Sequence, residues 1–406
     1  MKPLALFGQA TSSRGFDGAA ARAVIRLCAP QAGQPAICGS DLALISELAD
    51  VERARSAGFT DVLVRDPAGL SDAALASFGR VVRMPARFDY LGDGDILGLE
   101  PVSRRFRVMY RRDSRHNSFL VTERCNHYCL MCSQPPRDVD DRWILDEIEA
   151  ALPLVDPATD SLGFTGGEPL LEWERFVGLL EQTRDVLPAT AIQVLTNGRA
   201  LARREVVDAW AKVNHPSLYA CIPLYGAVDH IHDYVVQSRG AFDETVLGIM
   251  RLKDKGQRVE VRVVLQRVTT ERLVETCAWI ARNLAFVDHV ALMGLENTGF
   301  ALANPDLIWV DPVDYRAALA EGVEMLASVG LRVSVYNLPL CVLDRRVWPF
   351  AVRSISDWKN AFVPECDGCV ERPRCGGFFS TGRPRISRGV HAILPAGIDP
   401  ALVLAA

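Results

Sequence analysis

Three cysteines stand close together in the stretch Cys125-Asn-His-Tyr-Cys129-Leu-Met-Cys132, a C-x3-C-x2-C pattern. Thiolates at this spacing on one loop can converge on a metal centre. Clustered cysteines in a reducing compartment favour metal ligation over disulfides. Three thiolates are one short of a closed tetrahedral site, whereas a [4Fe–4S] cube held by three cysteines leaves one iron open to a small ligand. The plainer alternative is structural zinc with His127 as fourth ligand, although zinc spacing normally comes as two C-x2-C-like pairs. A second knot, Cys366, Cys369 and Cys375, reads C-x2-C-x5-C. Of the remaining five cysteines, Cys28, Cys38, Cys221 and Cys277 read as small buried hydrophobes, and Cys341 is kept apart from them.

Such a loop needs a scaffold. From about residue 115 strand and helix signals alternate. Ser118–Thr122, Leu162–Phe164, Ala191–Leu195, Leu218–Leu224, Val259–Leu265 and Val287–Met293 read as strands. Between them apolar residues recur at helical spacing: Ile144, Ile148 and Leu152; Phe176, Leu179 and Leu180; Phe242, Val246 and Ile249; Leu273, Cys277, Ile280 and Leu284. Asp311 caps a further helix that has Pro312 at its first position and stops at Gly330. Six strand–helix units in sequence demand a parallel sheet with right-handed crossovers. The class is α/β, and the count fits a partial (β/α)6 TIM-like barrel better than an open doubly wound sheet, a choice that periodicity alone does not make. The first knot follows the first strand, at the end where active sites of such barrels gather.

Residues 1–110 read as a separate small α+β domain without a catalytic motif. Val62–Val64 and Val81–Met84 are its strand candidates, Leu42–Leu48 and Val51–Ala57 its helical ones, and Tyr90–Leu99 a turn followed by a small β element. The core is expected over 111–335, a cysteine-rich extension over 336–392 and a tail over 393–406. With 49% hydrophobic and 23% charged residues, a 406-residue chain can bury a proper core and needs no disulfide framework. A net charge of −5 argues against a broad nucleic-acid surface. No run approaches the roughly 20 apolar residues that span a bilayer, and the start has no signal-peptide pattern. A cytoplasmic protein without a membrane partner is expected.

The first knot resembles the signature of the radical S-adenosylmethionine (AdoMet) superfamily, with Tyr128 at its usual aromatic position. Thr165-Gly166-Gly167-Glu168-Pro169 after the second strand resembles that superfamily's methionine-binding turn. Glycines there let the backbone approach a ligand closely, and the resemblance implies that Glu168 and backbone carbonyls accept from the AdoMet ammonium group. More loosely, Thr196 in the turn after the third strand resembles an AdoMet contact, Arg262 the residue that pairs with the AdoMet carboxylate, and Gly294 and Leu295 an adenine-contacting segment. An arginine inside an apolar strand is expensive without an anionic partner; the alternative is an outward, solvated side chain. Tyr225, His232 and Asp233 face a ligand or merely cap a helix.

The second knot resembles the end of the auxiliary-cluster domain of radical AdoMet enzymes that modify peptides, but Phe379 stands where that pattern has a fourth cysteine. Cys341 is then the natural fourth ligand of one closed [4Fe–4S] cluster. A four-cysteine zinc uses the same ligands, and an open iron held by three cysteines and a substrate atom is a third option. The strings TERCNHYCLMCSQPP, GFTGGEPLL, YNLPLCVL, ISDWKN and CGGFFSTGR resemble the maturases of the His-Xaa-Ser peptide system over about residues 85 to 390. The resemblance implies reductive cleavage of AdoMet to a 5′-deoxyadenosyl radical, hydrogen abstraction from a ribosomally made precursor peptide, an electron donor such as flavodoxin or ferredoxin, and a sister maturase. It names no general acid or base. The competing readings are radical chemistry on a small molecule or nucleotide in cofactor biosynthesis, and a non-enzymatic zinc or iron–sulfur binding protein.

Overall fold

The computed structural model describes residues 5–15, 22–30, 39–65, 69–353, 360–379 and 385–395. Cys38, most of the ISDWKN string, the end of CGGFFSTGR and the tail beyond residue 395 lie outside the described residues.

The N-terminal part consists of β1 (Phe7–Gln9), β2 (Ser12–Arg14), β3 (Ala23–Cys28), β4 (Asp41–Ile45), α1 (Leu48–Ser56), β5 (Asp61–Arg65), β6 (Arg80–Met84), β7 (Ile96–Glu100) and β8 (Arg105–Tyr110). The strands form one sheet in the order β1-β8-β7-β3-β4-β5-β6-β2. Its two edge strands are joined by only Ala10 and Thr11, and three residue steps reach no more than about 11 Å. The sheet must therefore roll until its edges meet. The Ala10 amide donates to Arg104 and the next amide, of Thr11, to Arg83 at the far end of the sheet. Rolling brings the two edges together, where they are less open as templates for unwanted pairing. Leu42, Leu44, Leu63, Val82, Leu97, Leu99 and Phe106 fill the inside. Outside, α1 covers Ala43, Ile45, Val62 and Val64.

This corrects the helical reading of Leu42–Leu48. A strand buried on both faces is apolar at every position, so the two-residue alternation that marks a strand is absent.

The larger part contains β9 (Asn117–Leu120), α2 (Trp143–Ala151), β10 (Ser161–Thr165), α3 (Trp173–Val186), β11 (Ala191–Leu195), α4 (Arg204–Val213), β12 (Leu218–Pro223), α5 (Asp229–Val236), α6 (Ala241–Asp254), β13 (Arg258–Leu265), α7 (Arg267–Thr270), α8 (Leu273–Asn283), β14 (His289–Gly294), α9 (Phe300–Ala303), α10 (Pro305–Ile308), α11 (Pro312–Ser328) and β15 (Val333–Tyr336). Seven strands pair in sequential order, all parallel and open at the ends. Unreversed order is the mark of a partial barrel, because a doubly wound sheet reverses at its switch point. The expected six strands become seven. Val333–Tyr336 is short, and Ser334 interrupts its apolar run, so it gives little signal. Asp311 caps α11 as expected, its carboxylate accepting from the Val313 amide.

Alternation divides the sheet. Ile192, Val194, Ala220, Ile222, Val261, Val263, Val290 and Leu292 pack into the main core. The opposite face presents Ser118, Gln193, Tyr219, Cys221, Glu260, Arg262, His289 and Ser334, a polar wall. The rolled sheet docks on α2, where Gly98 lets Glu147 lie against β7 and Arg107 pairs with Glu147 at 2.6 Å.

Candidate metal centre

The first knot hangs from the end of β9, and the 165–169 turn holds its root. The β9–β10 ladder continues past both strands: Val121 donates to the Thr165 carbonyl, Gly167 to Thr122 and Glu168 to Arg124. A Cβ on Gly167 would lie 1.8 Å from the Arg124 carbonyl oxygen, and one on Gly166, at φ +135°, 2.4 Å from that of Thr122. No side chain fits there. The two glycines thus serve the approach of this turn to the chain entering the knot.

Asp141, at the foot of α2, fixes the same root. It accepts from Thr122 Oγ1 at 2.7 Å, the Glu123 amide at 2.6 Å and Arg124 Nε at 2.9 Å, while Arg124 also pairs with Glu172. Sequence reading missed Asp141, because nothing local links it to a strand some twenty residues earlier.

Beyond the root the loop is gripped from two sides. Tyr128 and Leu130 amides donate to the Val236 and Val235 carbonyls at the end of α5. The Phe300 amide donates to the Cys132 carbonyl and Asn304 Nδ2 to that of Leu130. Gly299, at φ +54°, lets this second segment pass, since a Cβ would meet the Cys132 oxygen at 2.3 Å. Met131 packs with Tyr225, Val235, Ala301 and Ile308, against which Cys129 and Leu295 also lie. Burying one such methionine stabilises by about 1.5–3 kcal/mol.

Cys125, Cys129 and Cys132 are free thiols. Burial pushes all three up, Cys125 to about 11, and neighbouring thiols add to the rise for Cys125 and Cys129. A bound metal cation inverts that balance by favouring thiolates. Three soft donors that resist ionisation unless a cation is present suit an iron–sulfur cluster. His127 is buried, its ring brought down to about 3 by burial first, and its Nε2 has no partner within the protein. Among the described residues no three His, Cys, Asp or Glu side chains are gathered around a single-ion position.

The Glu168 carboxylate is buried and accepts from the Leu170 amide at 2.9 Å, Thr196 Oγ1 at 2.6 Å and the Asn197 amide at 2.6 Å. Thr196 is likewise turned inward. Asn197 Nδ2 then donates to Asn126 Oδ1 at 2.7 Å. A buried carboxylate is costly unless hydrogen-bonded, and these donors satisfy it. What the turn offers a ligand is backbone around the two glycines, since the Thr165 and Glu168 carbonyls already accept from the Val121 and Leu171 amides.

Arg262 is not outward and solvated. Its side chain is 12% exposed and its anionic partner is internal, Glu260 at 2.5 Å. Gly294 ends β14 against the Asn337 carbonyl, and Leu295 joins the apolar cluster beneath the knot. Thr298 Oγ1 and Asn337 Oδ1, just past β14 and β15, are buried and have no partner in the protein, so a ligand at this end of the sheet finds hydrogen-bonding groups to use. Tyr225 is buried and feels both the Cys129 and Cys132 thiols and the Arg262 guanidinium. Asp233 caps α6, accepting from Gly240 and Phe242 amides. His232 is buried, its Nδ1 accepting from the Tyr225 amide.

At the other end of the chain Cys341, Cys366, Cys369 and Cys375 line a single cavity with Arg372 and His391. Amides point at their sulfurs: Leu340 and Gly377 at Cys375, both 3.4 Å, and Ile393 at Cys369, 3.3 Å. Burial pushes the Cys341 and Cys366 thiols up, as it does in the first knot. Ile393 belongs to this site, beyond the expected end of the cysteine-rich region at 392. Phe379 is buried.

Residues 119–280 match the radical SAM superfamily. The chain is 29% identical over 154 residues to a GTP 3′,8-cyclase of Peptoclostridium acidaminophilum, covering 36% of this chain and 45% of that protein. Similar solved structures include SuiB of Streptococcus suis bound to S-adenosylmethionine, at 16% identity and TM-score 0.43 over 54% of this chain and 49% of that one. Another is a radical SAM methyltransferase from Sphaerobacter thermophilus, at 17% identity and TM-score 0.42 over 59% of this chain and 72% of that one. The match thus spans about half or less of the cyclase and of SuiB.

Proposed function

We propose, for a chain whose residues 119–280 are a radical SAM superfamily domain, that it is a radical SAM enzyme modifying a ribosomally made peptide of the His-Xaa-Ser type. The observation that carries the radical chemistry is the joining of the cysteine loop, the 165–169 turn and Asn197 into one hydrogen-bonded unit at the C-terminal ends of the strands. Cys125, Cys129 and Cys132 would hold a [4Fe–4S] cluster with one open iron. The carbonyls of the turn, with Arg262, Gly294 and Leu295, would hold AdoMet beside it. Held there, the cluster and AdoMet would supply radical chemistry, hydrogen abstraction from the substrate.

The chain's own contribution is position and shelter. Asp141 and Glu168 hold the loop and turn at fixed separation. Met131, Tyr225 and Leu295 keep water from the underside of the knot.

The peptide substrate is supported by the four-cysteine cavity, which would hold a second [4Fe–4S] cluster or a zinc, and by the strings shared with the His-Xaa-Ser maturases. An electron donor such as flavodoxin or ferredoxin and a sister maturase belong to the same proposal. A second reading, radical chemistry on a nucleotide, is favoured by the likeness to the GTP 3′,8-cyclase.

The test uses protein purified and reconstituted without oxygen, with AdoMet and dithionite. A synthetic peptide with His-Xaa-Ser repeats, or GTP, is added, and 5′-deoxyadenosine and substrate mass are followed. Peptide-stimulated 5′-deoxyadenosine with a mass change in the peptide supports the proposal. Stimulation by GTP alone moves the assignment to the nucleotide. No 5′-deoxyadenosine from the loaded protein under any condition overturns the radical reading and leaves a binding protein.

A further inference from the structure

The polar wall of the large sheet holds a connected chain of side chains that the motifs do not explain. Glu260 Oε1 accepts from Arg262 Nε at 2.5 Å, and its Oε2 lies 2.6 Å from His289 Nδ1. His289 Nε2 lies 2.9 Å from Ser334 Oγ. Register brings them together: Glu260 stands beside His289, and Arg262 beside Ala291, which stands beside Ser334.

Burial alone would raise the Glu260 pKa, but the His289 hydrogen bond and the Arg262 charge bring it down to about 2. A carboxylate can only accept, so Nδ1 carries a proton, and Nε2 shares a hydrogen bond with the Ser334 hydroxyl.

The order serine, histidine, carboxylate is that of a hydrolytic triad. Here all three residues are buried, with exposures of 6%, 5% and 7%. They lie within the first residues of their strands, at the end away from the cysteine knot. Residues at that end of a barrel serve stability rather than chemistry. What the chain does is hold Arg262, which stands on the same face two residues further along β13, about 7 Å nearer the knot. The Leu224 amide donates to the Arg262 carbonyl, and the next residue, Tyr225, packs with Met131 of the knot, so β13 at Arg262 runs beside the space next to the knot.

We infer that Glu260, His289 and Ser334 are positioning residues that fix the Arg262 guanidinium through its Nε, with Cys221 of β12 beside it, so that it is held ready to receive the carboxylate of an amino-acid ligand. The inference rests on the reading above, in which that ligand is AdoMet. A guanidinium locked beforehand loses less freedom on binding. Outer partners of a binding group typically matter about 10- to 100-fold.

The experiment measures equilibrium binding to reconstituted, oxygen-free protein of AdoMet and of decarboxylated AdoMet, which lacks the carboxylate. Arg262→Gln, Glu260→Gln, His289→Gln and Ser334→Ala are compared with the unaltered protein, each checked by thermal melting. Ser334→Ala is the mildest change and stands in should Glu260→Gln not fold. All variants should bind AdoMet about tenfold or more weaker and the decarboxylated compound as before. Arg262→Gln weakened with Ser334→Ala and His289→Gln unchanged overturns the inference and leaves the AdoMet reading intact. Equal weakening toward both compounds also overturns it, as general loss of structure. An unaltered protein that binds no AdoMet overturns the reading and the inference together.

Discussion

Asn197 Nδ2 donates to Asn126 Oδ1 at 2.7 Å, tying the turn after β11 to the residue that follows Cys125. Asn197 also gives its amide to Glu168, whose own amide donates to Arg124 just before the knot. Three short motifs, separated by tens of residues, are therefore one object. Removing a link should loosen the cysteine loop without unfolding the sheet.

Asn126→Ala removes one partly buried hydrogen bond, worth about 1 kcal/mol. Global stability in urea should fall by about that much, and iron should leave the reconstituted protein several-fold faster in the presence of a chelator. Iron loss at the unaltered rate would mean that the bond does not hold the knot.

Gly167→Ala is expected to be far more damaging. Its methyl would meet the Arg124 carbonyl, a backbone atom that cannot swing away. A loss above about 2 kcal/mol is expected, as for overpacked cores, with iron content near half of normal or less. Gly178→Ala, in the interior of α3 with open space around its Cα, serves as the control: it should leave iron content unchanged and raise stability by about 0.5–1 kcal/mol.

Cys341→Ser addresses the second site. If the four cysteines hold a second [4Fe–4S] cluster, anaerobically reconstituted protein carries about eight irons and the variant about four. If they hold zinc, the variant loses about one zinc and keeps its iron. Unchanged metal content would remove Cys341 from the ligand set.

Glu147→Gln tests the docking of the rolled sheet on α2. The Glu147 side chain is 4% exposed and pairs with Arg107 at 2.6 Å and Arg22 at 3.5 Å. Leaving Arg107 buried and uncompensated should cost about 3–5 kcal/mol. Arg142→Ala, an exposed pair with Asp140, should cost under about 1 kcal/mol. Equal effects in denaturant melts would contradict the role given to Glu147.

His232 makes the fold acid-sensitive. Burial, with Arg199 adding against the opposing pull of Asp233, brings its pKa down to about 4. The unfolded imidazole titrates near pH 6.5, so between these values the unfolded chain takes up a proton that the folded chain refuses. The contribution is fully present above about pH 6.5 and falls by roughly 1.4 kcal/mol per unit as the pH drops toward 4. His232→Gln should flatten the dependence by that slope in urea melts at pH 7, 6 and 5; parallel curves would refute it.

The local chemistry could be read from the chain itself. Cysteine spacing, the Gly-Gly turn and strand–helix alternation are short-range signals, because ligand loops, turns and amphipathic faces are set by neighbours in sequence. They located the knot at a strand end, the helix cap at Asp311 and the parallel sheet. Contacts made across the sheet were illegible. That Thr196 donates to Glu168, tens of residues earlier, cannot be seen in a string of letters. Arg262 seems to need an external anion until the strand turns Glu260 to the same face. Val333–Tyr336 is too short to announce itself, and Asp41–Ile45 lacks alternation because both its faces are covered. Each of these was decided by register, which places residues far apart in sequence within hydrogen-bond distance and which no local pattern encodes.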